Sequence, residues 1–199
     1  MDRVSIGLRA KTARAIAVVL AGPADLPRVL KRTELILADP RVPATSQPYH
    51  EVMELPWEQA TEAVKGTAAS IEALASKALA ALVQEAQSTG LKVCCVGIVG
   101  AGERKLEKIG STHIRAHAAE GVLFRRVLEV AAEANGLPMR TFVEQGLAEL
   151  AASELKHSTA VLARLVTDLG GSVGRPWRAD EKAATMGAWL TLASYRQRK

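Results

Sequence analysis

The chain has 199 residues, of which 48% are apolar and 24% charged, with a formal net charge of +5. This profile fits one soluble globular domain spanning residues 1–199. No apolar run approaches eighteen uncharged residues and no secretion-signal layout is evident, so we expect a cytoplasmic protein with no membrane partner.

The positive charge is concentrated near the start of the chain. Residues 1–32 carry seven Lys or Arg against two acids, whereas residues 33–90 carry three against eight. A basic segment of this kind fits contact with nucleic-acid phosphates. It also fits the charged edge strands that keep a sheet soluble, which is the simpler interpretation.

The first half of the chain predicts three strands and one long helix. Short-period apolar patterns over residues 3–9, 13–21 and 28–38 are typical of strands. Residues 40–56 hold four prolines and form a predicted loop, which contains His50-Glu51 and Glu54. Apolar residues near a 3.6-residue spacing then predict an amphipathic helix over about 57–87.

The second half alternates between strands and helices. The run LKVCCVGIVG (91–100) is typical of a strand buried on both faces, with Cys94-Cys95 pointing to opposite faces, buried and reduced. A helix begins at Ser111-Thr112 and ends at Asn135-Gly136. A strand over 138–143, a single helix over about 145–169 and a last helix capped by Asp180 complete the order β-β-β-α-β-α-β-α-α.

This order is similar to the ribonuclease H-like fold, and three segments resemble RuvC-type Holliday-junction resolvases. These segments read GSTHIRAHAAEGVLFRRVLEVAAEANGLPMRTFV, ASELKHSTAVLARLV and RADEKAATMGAWLTLA. The resemblance covers residues 3–20 and 91–195. It implies an α/β fold with a mixed sheet and helices on both faces.

The resemblance also implies acids that hold divalent metal ions on the first strand, at the end of the fourth strand and on the last helix. In this chain the first position reads Ile6-Gly7-Leu8-Arg9, so a cation replaces the acid. Glu103 lies just beyond the fourth strand. The last helix has Asp180 and Glu181, but the second aspartate position of the family falls near residues 182–183.

Arg9 is the most informative departure from the family pattern. A guanidinium repels a divalent ion and cannot be deprotonated in a protein. We therefore hypothesise that Arg9, Glu103 and Asp180 mark a former active site, in which Arg9 replaces a metal by bridging to Asp180 or Glu103. The alternative is that Arg9 points to solvent from an ordinary turn.

Two further patterns lie near the expected cleft. His113 and His117 have the i, i+4 spacing of zinc ligands, but they lack the intervening Glu of a metalloprotease motif. Two histidines are incomplete for a site of three or four ligands, so we predict no metal there and a polar helix face that contacts phosphates with Arg115. The sequence GAGERK (100–105) matches no nucleotide-binding motif and predicts a turn at the end of the sheet.

Three functions are compatible with these patterns. The favoured one is a catalytically degenerate protein that binds structured DNA or RNA, or a protein partner, and does not cleave nucleic acid. Its phosphate contacts would come from basic side chains at five positions, namely Arg9, Lys11, Arg14, Lys105 and Arg115.

The second function is a nuclease acting on structured nucleic acid, and only this hypothesis requires Mg²⁺ or Mn²⁺. Its rearranged acids would be Glu103, Asp180 and Glu181. The third is an interaction module with an inert cleft, in which the Ala-rich helix over about 57–87 forms the working surface. The resemblance implies a homodimer, and we expect no other cofactor.

Overall fold

A five-stranded mixed sheet forms the centre of the computed structural model, which describes residues 2–197. The sheet order is β3-β2-β1-β4-β5. Strands β1, β4 and β5 are parallel, whereas β2 is antiparallel to both β1 and β3. The carboxyl ends of β1, β4 and β5 therefore lie at one edge of the sheet. The strands are β1 (Asp2–Lys11), β2 (Arg14–Ala21), β3 (Arg28–Ile36), β4 (Leu91–Gly100) and β5 (Met139–Val143).

Helices cover both faces of this sheet. Two of them pack with the first hydrophobic core, and the other three pack with a second core on the opposite face. The first pair is α1 (Trp57–Ser88) and α2 (Thr112–Ala134). The second group is α3 (Leu147–Glu154), α4 (Thr159–Asp168) and α5 (Ala179–Gln197). The mixed sheet with helices on both faces agrees with the predicted fold class.

The order of elements differs from the prediction in one place. The helix expected over about 145–169 is two helices, so three helices follow β5. Helix α3 ends with Lys156 in the left-handed conformation, at φ 58°. The N–H of Lys156 donates to the carbonyl of Ser153, and the N–H of His157 donates to that of Ala152. This is a Schellman motif, and Ser158 then caps α4.

The start of α5 also corrects the prediction. The helix begins at Ala179, so Asp180 is its second residue rather than its cap. The carboxylate of Glu181 accepts a hydrogen bond of 2.9 Å from the backbone N–H of Arg178. A side chain that reaches back in this way satisfies one of the free N–H groups at a helix start.

Helix α5 lies directly against the sheet at two glycines. A Cβ added to Gly7 would lie 1.8 Å from the carbonyl oxygen of Ala184, and one added to Gly97 would lie 2.1 Å from that of Gly187. No other residue type fits these positions without moving backbone. This close approach brings the acidic start of α5 to the carboxyl ends of the strands.

The two adjacent cysteines do not lie on opposite faces of β4, contrary to the prediction. The register between β1 and β4 shifts at this point, because Val4 pairs with Val93 and Ser5 pairs with Cys95. This irregularity brings the Sγ atoms of Cys94 and Cys95 to 3.5 Å from each other. Both residues are buried and neither forms a disulfide, as expected.

Helix α1 is the longest element, at 32 residues. Among residues 2–197 it is the one helix whose length and composition would suffice to cross a membrane. Core helices of soluble proteins pass the same test, and a stripe of α1 packs in the first core through Ile71, Leu79 and Leu82. The absence of a membrane span stays a prediction.

Candidate nucleic-acid interface

An open cavity of about 310 Å³ lies at the carboxyl ends of the parallel strands. Its wall comprises the end of β1, the turn between β1 and β2, the end of β4, one side of α2 and the residues after β5. Ligands of open α/β sheets bind beyond this edge of the sheet. We refer to this cavity, lined among others by Arg9, Lys11, Gly100, Arg104 and Glu144, as the cleft.

Arg9 occupies the centre of the cleft and is 8% exposed. One of its terminal nitrogens donates to Oε2 of Glu144 at 2.5 Å. Its Nε lies 3.4 Å from Oδ1 of Asp180, an ion pair without hydrogen-bond alignment. Lys11 donates to the same Asp180 oxygen at 3.3 Å. Arg9 therefore bridges two acids, of which the sequence indicated one, Asp180.

The other candidate acids are held by different arginines. Glu103 accepts hydrogen bonds from Arg125 and, at 3.3 Å, from Arg126. The hydrogen bond from Arg125 holds the pKa of Glu103 below its usual value. Glu103 is thus bound to α2, and the bridge from Arg9 to Glu103 that we considered is not present.

Glu181 contacts β3 and is not among the residues that line the cleft. Arg32 donates to its Oε1 at 2.8 Å, and Glu181 is 3% exposed. Burial raises the pKa of Glu181, but the hydrogen bonds from the Arg178 N–H and from Arg32 outweigh burial, so the pKa lies below its usual value. Glu103, Asp180 and Glu181 are therefore each paired with a cation and do not converge on one point.

Comparison with solved structures identifies the fold. The Thermus thermophilus RuvC structure matches with a TM-score of 0.56 at 15% identity, covering 98% of this chain and 96% of that one. The fold is RuvC-like. The structure of T. thermophilus RuvC in complex with a Holliday junction substrate matches with a TM-score of 0.53, 13% identity and the same coverage. No protein-family model and no curated protein matches the chain.

The residues of the RuvC-like cleft do not fit a divalent metal ion. Such an ion needs several carboxylate oxygens around one point. The buried guanidinium of Arg9 already contacts the carboxylates of Glu144 and Asp180, and Lys11 adds a second positive charge. A further cation would be repelled by both side chains.

The basic residues of the first three strands are mostly paired. Six of the seven Lys and Arg residues in positions 1–32 lie within 4.0 Å of a carboxylate oxygen. Arg14, a predicted phosphate contact, lies 3.7 Å from Glu34. The excess charge of this segment is therefore largely neutralised by acids from the rest of the chain.

The loop between β4 and α2 carries three further basic residues. Within the described residues, Arg104, Lys105 and Lys108 are exposed and make no ion pair. Arg104 lines the cleft, and Lys105 was a predicted phosphate contact. Arg115, also predicted, lies elsewhere, because its guanidinium stacks over Trp57 at 5.6 Å from the ring centroid.

Two residues of the cleft, Glu144 and Arg104, escaped the sequence analysis, as did Arg125, which binds Glu103. Glu144 had a detectable signal, because it directly follows β5, and a polar residue at the end of a parallel strand points to the ligand-binding edge. His113 and His117 were expected to contact phosphates with Arg115. They instead lie beside His50, and neither histidine is among the residues that line the cleft.

Proposed function

We propose that this chain binds structured nucleic acid at its RuvC-like cleft and does not cleave it. The observation that carries the proposal is the position of Arg9. Its guanidinium lies between Glu144 and Asp180, where a metal-dependent nuclease would need a divalent ion. The rival nuclease mechanism needs Glu103, Asp180 and Glu181 to act together, and each is paired with a basic side chain.

The binding part of the proposal rests on the loop between β4 and α2. Arg104 lines the cleft, and Lys105 and Lys108 are exposed on the same loop; in the described part of the chain none of the three makes an ion pair. Phosphate contacts from such side chains supply most of the affinity for nucleic acids. T. thermophilus RuvC has been solved with a Holliday junction substrate, so a four-way junction is the first nucleic acid to test.

The binding test is fluorescence anisotropy with a labelled four-way junction, a duplex of the same sequence and a single strand, in EDTA. We expect the junction to bind most tightly and the affinity to fall steeply between about 50 and 200 mM salt. The double variant R104A/K105A should bind more weakly, with the salt slope reduced by roughly one unit per lost phosphate contact.

The matched control is the double variant K77A/K92A, which removes the same charge. Lys77 lies on an exposed part of α1, and Lys92 lies at the amino end of β4, at the opposite edge of the sheet from the cleft. Equal losses in the two double variants would show that net charge and not the cleft controls binding. No junction binding at low salt would refute the proposal.

The second part of the test asks whether the wild-type chain cleaves the junction in Mg²⁺ or Mn²⁺. We expect no cleavage, and no Mn²⁺ binding at the cleft by calorimetry. The substitution R9D removes one of the two repelling cations and adds a third carboxylate beside Glu144 and Asp180, so this variant should bind Mn²⁺ more tightly than the wild type, although Lys11 remains. Metal-dependent cleavage by the wild-type protein that is lost in Asp180→Asn would support the nuclease instead.

A further inference from the structure

Three histidines meet on the surface of the molecule outside the cleft. His50 comes from the loop between β3 and α1, and His113 and His117 lie on successive turns at the start of α2. The ring centroids of His50 and His117 are 4.3 Å apart, and those of His113 and His117 are 4.6 Å apart. One ring nitrogen from each of the three lies within 4.8 Å of the others.

A buried carboxylate fixes the orientation of His50. Glu120 is fully buried on α2, and its Oε1 lies 2.8 Å from Nδ1 of His50 and 3.3 Å from the backbone nitrogen of the same residue. An ionised carboxylate only accepts hydrogen bonds, so in a neutral imidazole facing it Nδ1 is the nitrogen that carries the proton. The lone pair of His50 is then on Nε2, the nitrogen that a metal ion would use.

Two buried atoms of this pair lack partners. Within the described residues, Nε2 of His50 and Oε2 of Glu120 are buried without a hydrogen bond. A buried polar atom without a partner is energetically costly. A buried carboxylate is costly too, and the one ion-pair partner of Glu120 in residues 2–197 is a histidine. A cation bound at Nε2 would satisfy the lone pair of His50 and offset the charge of Glu120.

We propose that His50, His113 and His117 bind one transition-metal ion of the zinc class, with Glu120 as the residue that orients His50. Metal-bound histidines commonly donate their second ring N–H to a carboxylate in this way. Three imidazoles favour Zn²⁺ over Mg²⁺ or Mn²⁺, and they leave a fourth position for water.

The geometry needs only small side-chain movements. Tetrahedral zinc with Zn–N distances of about 2.0–2.1 Å requires nitrogens about 3.3 Å apart. His113 and His117 are exposed, so their rings can rotate towards Nε2 of His50 without disturbing the core. The bound ion would join the Pro-rich loop to the segment of α2 that supplies Gly121 and Phe124 to the cleft wall.

The test is calorimetric titration of the full-length, tag-free protein with ZnCl₂ after dialysis against a chelator and then against chelator-free buffer. We expect one Zn²⁺ per chain, and Co²⁺ should give the visible absorption of a tetrahedral nitrogen-ligated ion. The substitutions H113Q and H117Q should each weaken Zn²⁺ binding at least about 10-fold. Both residues are exposed, so these variants should keep the wild-type circular dichroism spectrum.

His157 provides the matched control, because it is the one histidine of the chain outside the cluster. The substitution H157Q should leave Zn²⁺ affinity unchanged, whereas E120Q should weaken it about 10- to 100-fold if Glu120 orients His50. Equal Zn²⁺ affinity in the wild type and in H113Q/H117Q would overturn the proposal, as would a wild-type Kd weaker than about 100 µM. The junction-binding test is done in EDTA, so either proposal can fail without the other.

Discussion

Arg9 and Glu144 meet at 2.5 Å in the cleft, although 135 positions separate them in the chain. Asp180 lies on the other side of the same guanidinium. One arginine therefore links the end of β1 to the residue after β5 and to the start of α5.

Replacing Arg9 by Met should lower the free energy of unfolding by about 1–3 kcal/mol, because it leaves the partly buried Asp180 without its arginine partner. The loss of stability should be smaller than for a fully buried ion pair, because the Glu144 side chain is 58% exposed and water can solvate its carboxylate once Arg9 is removed. Urea denaturation measures the change. The control is R14M, whose 3.7 Å pair with Glu34 is largely exposed and should contribute at most about 1 kcal/mol. Equal losses in R9M and R14M would contradict a special role for Arg9.

Gly7→Ala should be strongly destabilising, by about 3 kcal/mol or more, because the new Cβ would overlap the carbonyl of Ala184 and force α5 away from the sheet. Gly66→Ala is the matched control. Gly66 lies inside α1 with no atom within 4 Å of an added Cβ, so alanine should stabilise the helix by about 0.5–1 kcal/mol. In thermal unfolding, Gly7→Ala should lower the melting temperature and Gly66→Ala should raise it. A neutral Gly7→Ala would mean that α5 is not held this close to β1.

Lys156→Gly should raise the free energy of unfolding by about 0.5–1 kcal/mol. Lys156 is left-handed at φ 58°, a conformation that glycine adopts without the steric cost of a Cβ. Lys156→Ala keeps the Cβ and should bring no gain. Chemical denaturation of the two variants separates this backbone effect from loss of the lysine charge, because a gain shared by both would implicate the charge.

Glu181→Gln should destabilise the protein at neutral pH by about 1–3 kcal/mol, since the charged hydrogen bonds to Arg32 and Arg178 weaken. The pKa of Glu181 is lowered in the folded protein from an ordinary value of 4.5. Its contribution is therefore complete above pH 4.5 and is lost as the pH falls through the folded pKa.

The measurement is the difference in unfolding free energy between the wild type and E181Q as a function of pH. This difference should be constant near neutrality and shrink below about pH 4.5. Glu133→Gln, at an exposed position of α2, should show almost no difference at any pH. A difference that grows towards acid pH would contradict a lowered pKa of Glu181 in the folded protein.

The sequence predicts helix ends well where glycine marks them. The end of α2 was located from Gly136, and α1 likewise ends shortly before Gly90; both glycines have positive φ values. The break between α3 and α4 was missed because a lysine occupies the equivalent left-handed position. The conformation at Lys156 depends on tertiary packing and not on an intrinsic preference for positive φ.

The candidate site was only half predictable for a similar reason. The pairing of Arg9 with Asp180 was one of the alternatives that the family resemblance suggested, whereas the pairing with Glu144 depends on which strands are neighbours in the sheet. The fold likewise brings His50 to His113 and His117 across more than sixty positions of sequence. Spacing rules within one helix cannot detect such clusters.

The guanidinium of Arg9 differs from a metal ion in how permanently it is held. A bound ion exchanges with solvent, competes with other ions and leaves when a chelator is added. Arg9 is covalently part of β1 and cannot dissociate from it. The contacts by which Arg9 joins β1 to the residue after β5 and to α5 therefore do not depend on the supply of divalent cations.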